Sequence, residues 1–159
     1  MPSSQILAWA PHRTEELMHK AMSGTLNQLT SGDWETLIEK AEYRRFTFND
    51  LIIEQGMVGD ALYIIADGEV RVERSDGNET WQLARLGSGA VFGEMSLLDK
   101  SGATANVVAD GQVEILCVKG NEVESLAATD LGFAARFFRS LATTLSRRLR
   151  ATNEIVRRR

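Results

Sequence analysis

The sequence predicts a mainly β fold, either a sandwich or a barrel, with helices before and after it. From Tyr43 to Val118, short apolar stretches alternate with polar residues, and glycine turns separate them at roughly eight- to twelve-residue spacing. On both sides of this region the apolar residues recur at helical spacing instead. The 159 residues are 43% hydrophobic and 25% charged, which suits a single domain with a buried core.

Two helices are predicted ahead of the strands. Residues 12–22 are amphipathic, as a helix with one buried face should be. Ser31-Gly32-Asp33 is predicted as a helix cap, because apolar residues at helical spacing follow it from Trp34 to Ala41.

The strands are predicted where apolar residues alternate with polar ones or form short runs between turns. Tight turns are expected at residues 55–60, 67–68, 75–78 and 87–89, where glycine can supply a positive φ. The apolar positions of the predicted strands are, in order, Phe46 and Phe48, Leu51–Ile53, Leu62–Ile65, Val70 and Val72, Trp81, Leu83 and Leu86, Val107–Ala109, and Val113–Val118.

A short helix is predicted inside the β region, at Phe92–Leu98, where Gly93 and Glu94 open it. The free backbone N–H groups and the positive dipole end of a helix start suit an anion such as a phosphate. Glu94 can accept hydrogen bonds from sugar hydroxyls, so the combination suits a ribose phosphate. Alternatively, the carboxylate caps the helix and does nothing more.

The end of the chain is predicted as a short helix, Glu122–Leu126, and a long helix that Asp130 caps. About 27 residues give the long helix a length of about 40 Å. One apolar stripe along it is expected to face the barrel and consists of Phe133, Phe137 and Leu141.

A second stripe on the long helix repeats at spacings of four and three, as in a coiled-coil seam. Its members are Phe138, Ala142, Leu145, Leu149, Thr152 and Val156. Because the helix is longer than a small barrel needs as cover, this seam predicts a parallel or near-parallel homodimer. Packing of both stripes against the same chain is the alternative.

The net charge of −4 hides a strong asymmetry. Residues 136–159 hold eight arginines and one acid, a charge of +7, whereas the first 135 residues carry −11. The basic end is interpreted as a solvated helix face that also docks on the acidic body. Contact with nucleic acid or an acidic partner, weakly supported by Arg157–Arg159, is the alternative.

The residues that could carry chemistry argue against an enzyme. His12 and His19 both lie in the N-terminal helix, away from the candidate pocket, and Cys117 sits in an apolar run that predicts a core position. No cluster has metal-ligand spacing, and no nucleophile stands beside a base in a known motif. We therefore expect no catalytic residue, no metal and no cofactor.

The single cysteine fits a reducing compartment. The chain has no signal peptide and no run of about 20 apolar residues. These features predict a cytoplasmic protein with no membrane contact.

Two motifs carry a family resemblance. Gly59–Val70 contains a glycine–aspartate, tyrosine and glycine hairpin signature, and Phe92–Leu97 resembles a phosphate-binding cassette. With the order of helices and strands, they resemble the cyclic nucleotide-binding domain family over about residues 25–155. The resemblance implies an eight-stranded double-stranded β-helix, or jelly-roll, barrel at residues 25–128. An N-terminal helical extension (1–24) would precede the barrel, and the long dimerisation helix with its basic end (129–159) would follow it.

The resemblance also implies roles for the cassette residues. Glu94 would hold a ribose 2′-hydroxyl. The backbone at Gly93, Met95 and Ser96 would cradle a cyclic phosphate. The implied ligand is a cyclic nucleotide, cyclic AMP or cyclic GMP.

Beyond the cassette the match is incomplete, because Ala103 stands where the family has a phosphate-pairing arginine. Thr104 matches a hydroxyl that grips the phosphate in members of the catabolite-activator type. Lys100 is either a substitute point charge or a solvated loop lysine. Thr152 and Asn153 match residues that contact the base, and they could equally form a polar layer in the coiled-coil seam.

Two functions follow from these expectations. The first is a non-catalytic, dimeric sensor that binds a cyclic nucleotide and shifts its C-terminal helix. The second is a degenerate domain that binds no nucleotide and serves as a dimerisation or docking scaffold. No DNA-reading segment follows the long helix in this sequence, so the expected output is an unidentified protein partner and not nucleic acid.

Overall fold

Eight strands and five helices make up residues 11–157, the part that the computed structural model describes, except for the side chains of residues 11, 12, 14, 152 and 155–157. The strands are β1 Glu42–Phe46, β2 Leu51–Ile53, β3 Ala61–Asp67, β4 Val70–Asp76, β5 Glu79–Leu86, β6 Val91–Phe92, β7 Asn106–Ala109 and β8 Val113–Lys119. The helices are α1 Pro11–Ala21, α2 Ser31–Lys40, α3 Glu94–Asp99, α4 Gly120–Thr129 and α5 Leu131–Arg157.

The strands form two antiparallel four-stranded sheets, ordered β1-β8-β3-β6 and β2-β7-β4-β5. Buried apolar side chains from both sheets pack together in one core, among them Ile65 and Ile115 from the first sheet and Val70 and Val107 from the second. Strands far apart in sequence are paired, as β1 is with β8. This arrangement is a jelly roll, and it confirms the predicted fold class.

A second apolar core joins the barrel to its helices. β3 is buried on both faces, because Ile65 lies in the core between the sheets while Ile64 packs with the helices. A strand buried on both faces appears in sequence as a continuous apolar run and not as an alternation. Trp34 of α2 and Phe137 of α5 are fully or almost fully buried in this second core, so the helices are part of the domain.

Polar contacts also hold α1 on the barrel. Arg13 forms an ion pair with Glu114 of β8, and the Tyr43 hydroxyl donates to the other oxygen of that carboxylate at 2.5 Å. Burial and this hydrogen bond raise the pKa of Tyr43 to about 12. The phenol therefore remains a proton donor throughout the neutral range.

The cap of α2 lies one residue earlier than predicted. Thr30 caps the helix: its hydroxyl accepts from the Asp33 N–H at 3.1 Å, and the Asp33 carboxylate accepts from the Thr30 N–H at 2.9 Å. This reciprocal pair is a capping box. The Asp33 carboxylate is also a docking point for α5, since Arg136 donates two hydrogen bonds to it, at 2.6 and 2.8 Å.

Two strand predictions need correction. Phe48 does not lie in a strand: it belongs to a turn in which Asn49 has a φ of 69°, and its side chain is 62% exposed. In β5 the alternation breaks at Leu83, because Val72 pairs with Ala84 while Glu73 pairs with Gln82. β5 is the edge strand of its sheet and is exposed from residue 79 to residue 85, so Trp81 and Leu83 are exposed although their alternation predicted a half-buried strand.

The long helix begins as predicted. The Asp130 carboxylate accepts from the Phe133 N–H at 3.0 Å, so it caps the first turn of α5. Phe133, Phe137 and Leu141 are buried, which confirms that this stripe faces the chain's own core.

Cys117 is buried in β8, as its apolar surroundings predicted, and burial raises the pKa of its thiol. A buried thiol with a raised pKa is a poor nucleophile. None of the helices in residues 11–157 is long and apolar enough to cross a membrane.

Candidate functional site

The site starts at the sharp turn between β6 and α3. Gly93 makes this turn with a φ of 87°, and a Cβ there would lie 2.7 Å from the Ala61 carbonyl oxygen and 2.9 Å from the Tyr63 ring. Only glycine fits without moving β3. The close approach fixes the first residues of α3 against the barrel, so Glu94 and the free N–H groups behind it have a defined position.

Glu94 is 5% exposed, and one carboxylate oxygen, Oε1, lies 3.4 Å from Nη1 of Arg148 on α5. A buried carboxylate needs such a partner, because an unpaired charge in the protein interior is costly. The ion pair joins α3 to the long helix.

Contacts between α3 and α5 surround this ion pair. The gap between the two helices is too narrow to admit water. Its lining residues are Thr25, Glu94, Met95, Leu98, Leu141, Thr144, Leu145 and Arg148.

Hydrogen bonds from α5 to the connector between α1 and α2 keep the helix at this distance. The Thr144 hydroxyl donates to the Thr25 carbonyl oxygen at 3.0 Å, and the Ser140 hydroxyl accepts from the Gln28 N–H at 2.9 Å. Both bonds lie close to the buried Leu141. The middle of α5 is therefore held on its own chain.

Two other predicted cassette residues differ in exposure. Ser96 is buried and its side chain lies close to Gly59, the first residue of the hairpin signature. Met95 is 44% exposed. The structure thus brings the two sequence motifs into contact at Gly59 and Ser96.

Ala103 lies in the loop that follows α3, and its backbone is tied to the β2–β3 turn. Its N–H donates to the Met57 carbonyl oxygen at 2.9 Å, and its carbonyl oxygen accepts from the Gly56 N–H at 2.8 Å. Ala103 is half-buried and Thr104 is exposed. At Ala103 the side chain contributes a methyl group and no charge.

The Lys100 ammonium is paired with acids of its own chain. It contacts Glu124 of α4 at 3.0 Å and Asp60 at 3.6 Å. The hydrogen bond to Glu124, helped by the nearby acids, raises the pKa of this lysine. The solvated-loop interpretation of Lys100 therefore describes the structure better than the substitute charge.

The residues near the C-terminus that were predicted to contact a base or to form the dimer seam are either exposed or not described. Asn153 is exposed near the end of α5, and the side chains of Thr152 and Val156 lie outside the described residues. Thr152 follows Arg148 by one helical turn, so its Cα lies on the same face of α5 as the ion pair. The prediction of a contact between these residues and a base stays a prediction.

The described members of the predicted seam are mostly exposed on this chain. Phe138 and Leu149 are 49% and 63% exposed, and Ala142 is exposed as well. Leu145 is half-buried, because it also lines the gap beside Glu94. The side chain of Arg157 and residues 158–159 of the basic end lie outside the described part.

Sequence reasoning did not identify Arg148 as a site residue. A usable signal existed, because Arg148 stands four residues before Thr152, which was a candidate base contact, and residues that far apart share a helix face. Among the described side chains, no group of three or more His, Cys, Asp or Glu could hold a metal ion.

The sequence and the fold match known proteins. The family model for the cyclic nucleotide-binding domain matches residues 43–130, more than half of the chain. The cyclic AMP receptor protein of Thermus thermophilus is 41% identical over 100 residues, which cover 62% of this chain and 44% of that protein. The chain therefore spans less than half the length of this relative.

Solved structures have the same architecture. The Thermus thermophilus catabolite activator protein, known from a crystal structure, is 32% identical in sequence to this chain. The two structures have a TM-score of 0.72, and the match covers 83% of this chain and 61% of that chain. A cyclic nucleotide-binding domain from Methylobacillus flagellatus, 20% identical, has a TM-score of 0.76 over 92% of this chain and 85% of that one, and it shares the fold.

Proposed function

Because the chain belongs to the cyclic nucleotide-binding domain family, we propose that it binds cyclic AMP or cyclic GMP without catalysis and regulates a protein partner through α5. The proposal uses Glu94 for the ribose hydroxyl and the backbone at Gly93, Met95 and Ser96 for the phosphate. Thr104 would add a hydroxyl contact to the phosphate. Thr152 and Asn153, near the end of α5, would contact the base.

The observation that carries the proposal is the ion pair between Glu94 and Arg148. Glu94 is 5% exposed and the α3–α5 gap excludes water. A ligand hydroxyl can therefore bond to this carboxylate only if its neighbours move. The neighbour that carries the opposite charge belongs to the long helix, so ligand binding changes the contacts that hold α5. Such a helix is a two-state element that a ligand can bias.

The output of the module is proposed to depend on a homodimer through α5. Large apolar side chains at Phe138 and Leu149 are 49% and 63% exposed on one chain, and they belong to a four–three repeat. A second copy of the helix would cover them. A change at Arg148 would then be transmitted along the same helix that joins the two protomers.

A degenerate scaffold is the second candidate, and Ala103 is the observation that favours it. A charge-assisted hydrogen bond contributes about 1.5–3 kcal/mol. Without one, binding weakens by roughly ten- to hundred-fold. A site with micromolar affinity would fall to roughly 0.01–0.1 mM by this factor, and at the weaker end a cell could use the domain only as a dimerisation or docking module.

Isothermal titration calorimetry with cyclic AMP, cyclic GMP and cyclic di-GMP separates the two functions. We expect a saturable heat with one of the first two ligands. Glu94→Gln keeps the shape of the side chain and removes its charge, and it should weaken binding at least about tenfold. Glu35→Gln, at an exposed position of α2, is the matched control. No heat and no thermal shift at millimolar ligand would remove the sensor and leave the scaffold.

A further inference from the structure

A bound cyclic phosphodiester carries a negative charge, and the structure offers few cations to meet it. Ala103 contributes a methyl group, Lys100 is paired with Glu124 and Asp60, and Arg148 is paired with Glu94. The backbone N–H groups at the start of α3 offer only partial positive charge, so a phosphate that enters a partly buried pocket there still lacks a full cation. The barrel wall itself is the remaining source of positive charge.

β4 forms part of the inner wall of the barrel. Val70 is fully buried, and Val72 packs against the core between the sheets. The register of β4 with β7 is unbroken from Val70 opposite Ala109 to Glu73 opposite Asn106. Since side chains alternate along a strand, Arg74 projects from the same inner face as the two valines.

The bulge in the β4–β5 hairpin does not change this assignment. The extra residue is Leu83, on β5, so the alternation of β4 continues through Arg74. Arg74 pairs with Trp81, whose indole is 45% exposed. The inner face of the hairpin is therefore open to solvent at this end of the barrel.

A chain of hydrogen bonds brings Arg74 close to the position that lacks an arginine. The Gln55 side chain bonds to both the N–H and the carbonyl oxygen of Ser75, at 2.8 and 2.9 Å. The next residue, Gly56, donates to the Ala103 carbonyl oxygen at 2.8 Å. The β4–β7 register ends at Glu73 opposite Asn106, which is three residues after Ala103 along the chain. Arg74 therefore lies at the end of the paired part of β4, next to the loop that holds Ala103.

Arg74 also differs from the other arginines of its hairpin. Arg71 bonds to Glu73 and Asp110, and Arg85 bonds to Glu69 and Asp110, all on the outer face. Arg74 is exposed and makes no ion pair with any residue in the described part of the chain. Its charge is available to a ligand without breaking an existing contact.

We propose that Arg74, on the inner face of β4, binds the phosphate of the ligand and replaces the missing arginine of the loop at Ala103. The proposal rests on the proposed cyclic nucleotide binding. In this arrangement the cation that contacts the phosphate lies on the barrel wall and not in the loop at Ala103. Trp81 is the aromatic neighbour of Arg74 on the paired strand.

The test is calorimetry with cyclic AMP and cyclic GMP on the full chain, comparing wild type, Arg74→Gln and Arg139→Gln. Arg139 is an exposed arginine of α5 without an ion pair in the described residues, so it controls for the loss of one surface charge. We expect Arg74→Gln to weaken binding roughly ten- to hundred-fold and Arg139→Gln to change it by less than about twofold. Arg74→Lys keeps the charge but loses the two-pronged hydrogen-bonding geometry of the guanidinium. Its affinity should lie between those of the two glutamine variants.

A rescue variant tests whether the loss of affinity in Arg74→Gln comes from a lost contact with the phosphate. Ala103→Arg in the Arg74→Gln background should recover at least about tenfold in affinity, because it returns the guanidinium to the loop. Thermal unfolding of each variant, expected within a few degrees of wild type, shows that the fold is intact.

The outcomes separate this proposal from the function on which it rests. If the wild type binds and Arg74→Gln binds equally well, or both arginine variants weaken alike, or Ala103→Arg recovers nothing, then Arg74 is not the phosphate contact and the sensor function stands. If the wild type gives no heat with either nucleotide, both proposals are overturned.

Discussion

Glu94 Oε1 lies 3.4 Å from Arg148 Nη1, so the first residue of α3 is bound to the long helix across 54 positions of sequence. The carboxylate side chain is 7% exposed and the guanidinium side chain is 56% exposed. The pair is therefore asymmetric: the buried acid depends on the arginine more than the arginine depends on the acid.

That asymmetry predicts the effect of removing the arginine. Arg148→Gln is expected to lower the free energy of unfolding by about 1–2 kcal/mol, because it leaves a buried carboxylate without its cation, while solvent on the exposed Arg148 side of the pair limits the loss. Urea denaturation followed by circular dichroism measures the change. Arg147→Gln, at the exposed neighbouring position, should stay within about 0.5 kcal/mol. Equal effects of the two substitutions would mean that the ion pair adds no stability.

The turn at Gly93 makes a second prediction. Gly93→Ala is expected to destabilise the protein by about 1–3 kcal/mol, since it places a side chain at a φ of 87° and pushes a Cβ to 2.7 Å from the Ala61 carbonyl oxygen.

Gly56 is the matched control for that substitution, because it has a φ of 90° and a Cβ added there would meet no atom within 4 Å. Gly56→Ala should therefore report the cost of the backbone conformation alone, about 1 kcal/mol. The difference between the two alanine variants, measured by chemical denaturation, is the cost of the clash with β3. A smaller loss at Gly93 than at Gly56 would contradict the close packing of this turn.

The contact between Arg136 and Asp33 predicts a dependence of stability on pH. The hydrogen bond from Arg136, opposed by burial and helped by the Thr30 N–H, lowers the pKa of Asp33 below its ordinary value of 3.8. A carboxyl whose folded pKa is depressed stabilises the protein fully above its unfolded pKa. That contribution disappears as the pH falls from 3.8 through the lower, folded value.

Arg136→Gln is the variant that checks this dependence. It should be less stable than wild type near neutral pH, where the charge-assisted bonds are intact. The difference should shrink below pH 3.8, when Asp33 becomes protonated in the unfolded and then in the folded chain. Thermal or urea unfolding of both proteins between about pH 2 and pH 7 measures this difference in stability. A difference that stays constant over this range would assign the stability to packing of the arginine and not to its charge.

The exposed seam on α5 predicts an assembly change. Leu149→Asp should convert the proposed dimer to a monomer, because it places a charge in the middle of an apolar helix interface. Since Leu149 is 63% exposed on one chain, the stability of the monomer itself should change little. Multi-angle light scattering measures the mass.

Leu131→Asp is the control for that experiment, because Leu131 is 78% exposed at the start of the same helix and lies outside the seam. It should leave the mass unchanged. A Leu149→Asp protein with the same mass as wild type would remove the dimer from the proposed mechanism. Leu145 is a poorer choice for this test, since it also contacts the gap beside Glu94.

The order of elements was predictable because each depends on residues close together in sequence. The cap at Asp130, the buried stripe from Phe133 to Leu141 and the short helix after Gly93 each follow from local spacing. The predicted cap of α2 was one residue too late, because the Thr30 hydroxyl bonds to the helix start. The predicted strand position of Phe48 was wrong, because the chain turns at Asn49.

The sequence by itself determined a β fold with flanking helices, since periodicity and turn residues encode local structure. Two motifs in it, through their family resemblance, implied the jelly roll and the cassette around Glu94. Only the tertiary structure decided which charges meet. Arg148 pairs with Glu94 and Lys100 pairs with Glu124 of α4, although neither partner follows from spacing along the chain. Spacing along the sequence does not predict these ion pairs, because the two partners lie on elements that are distant in sequence. Packing of the whole core decides which of these elements come into contact.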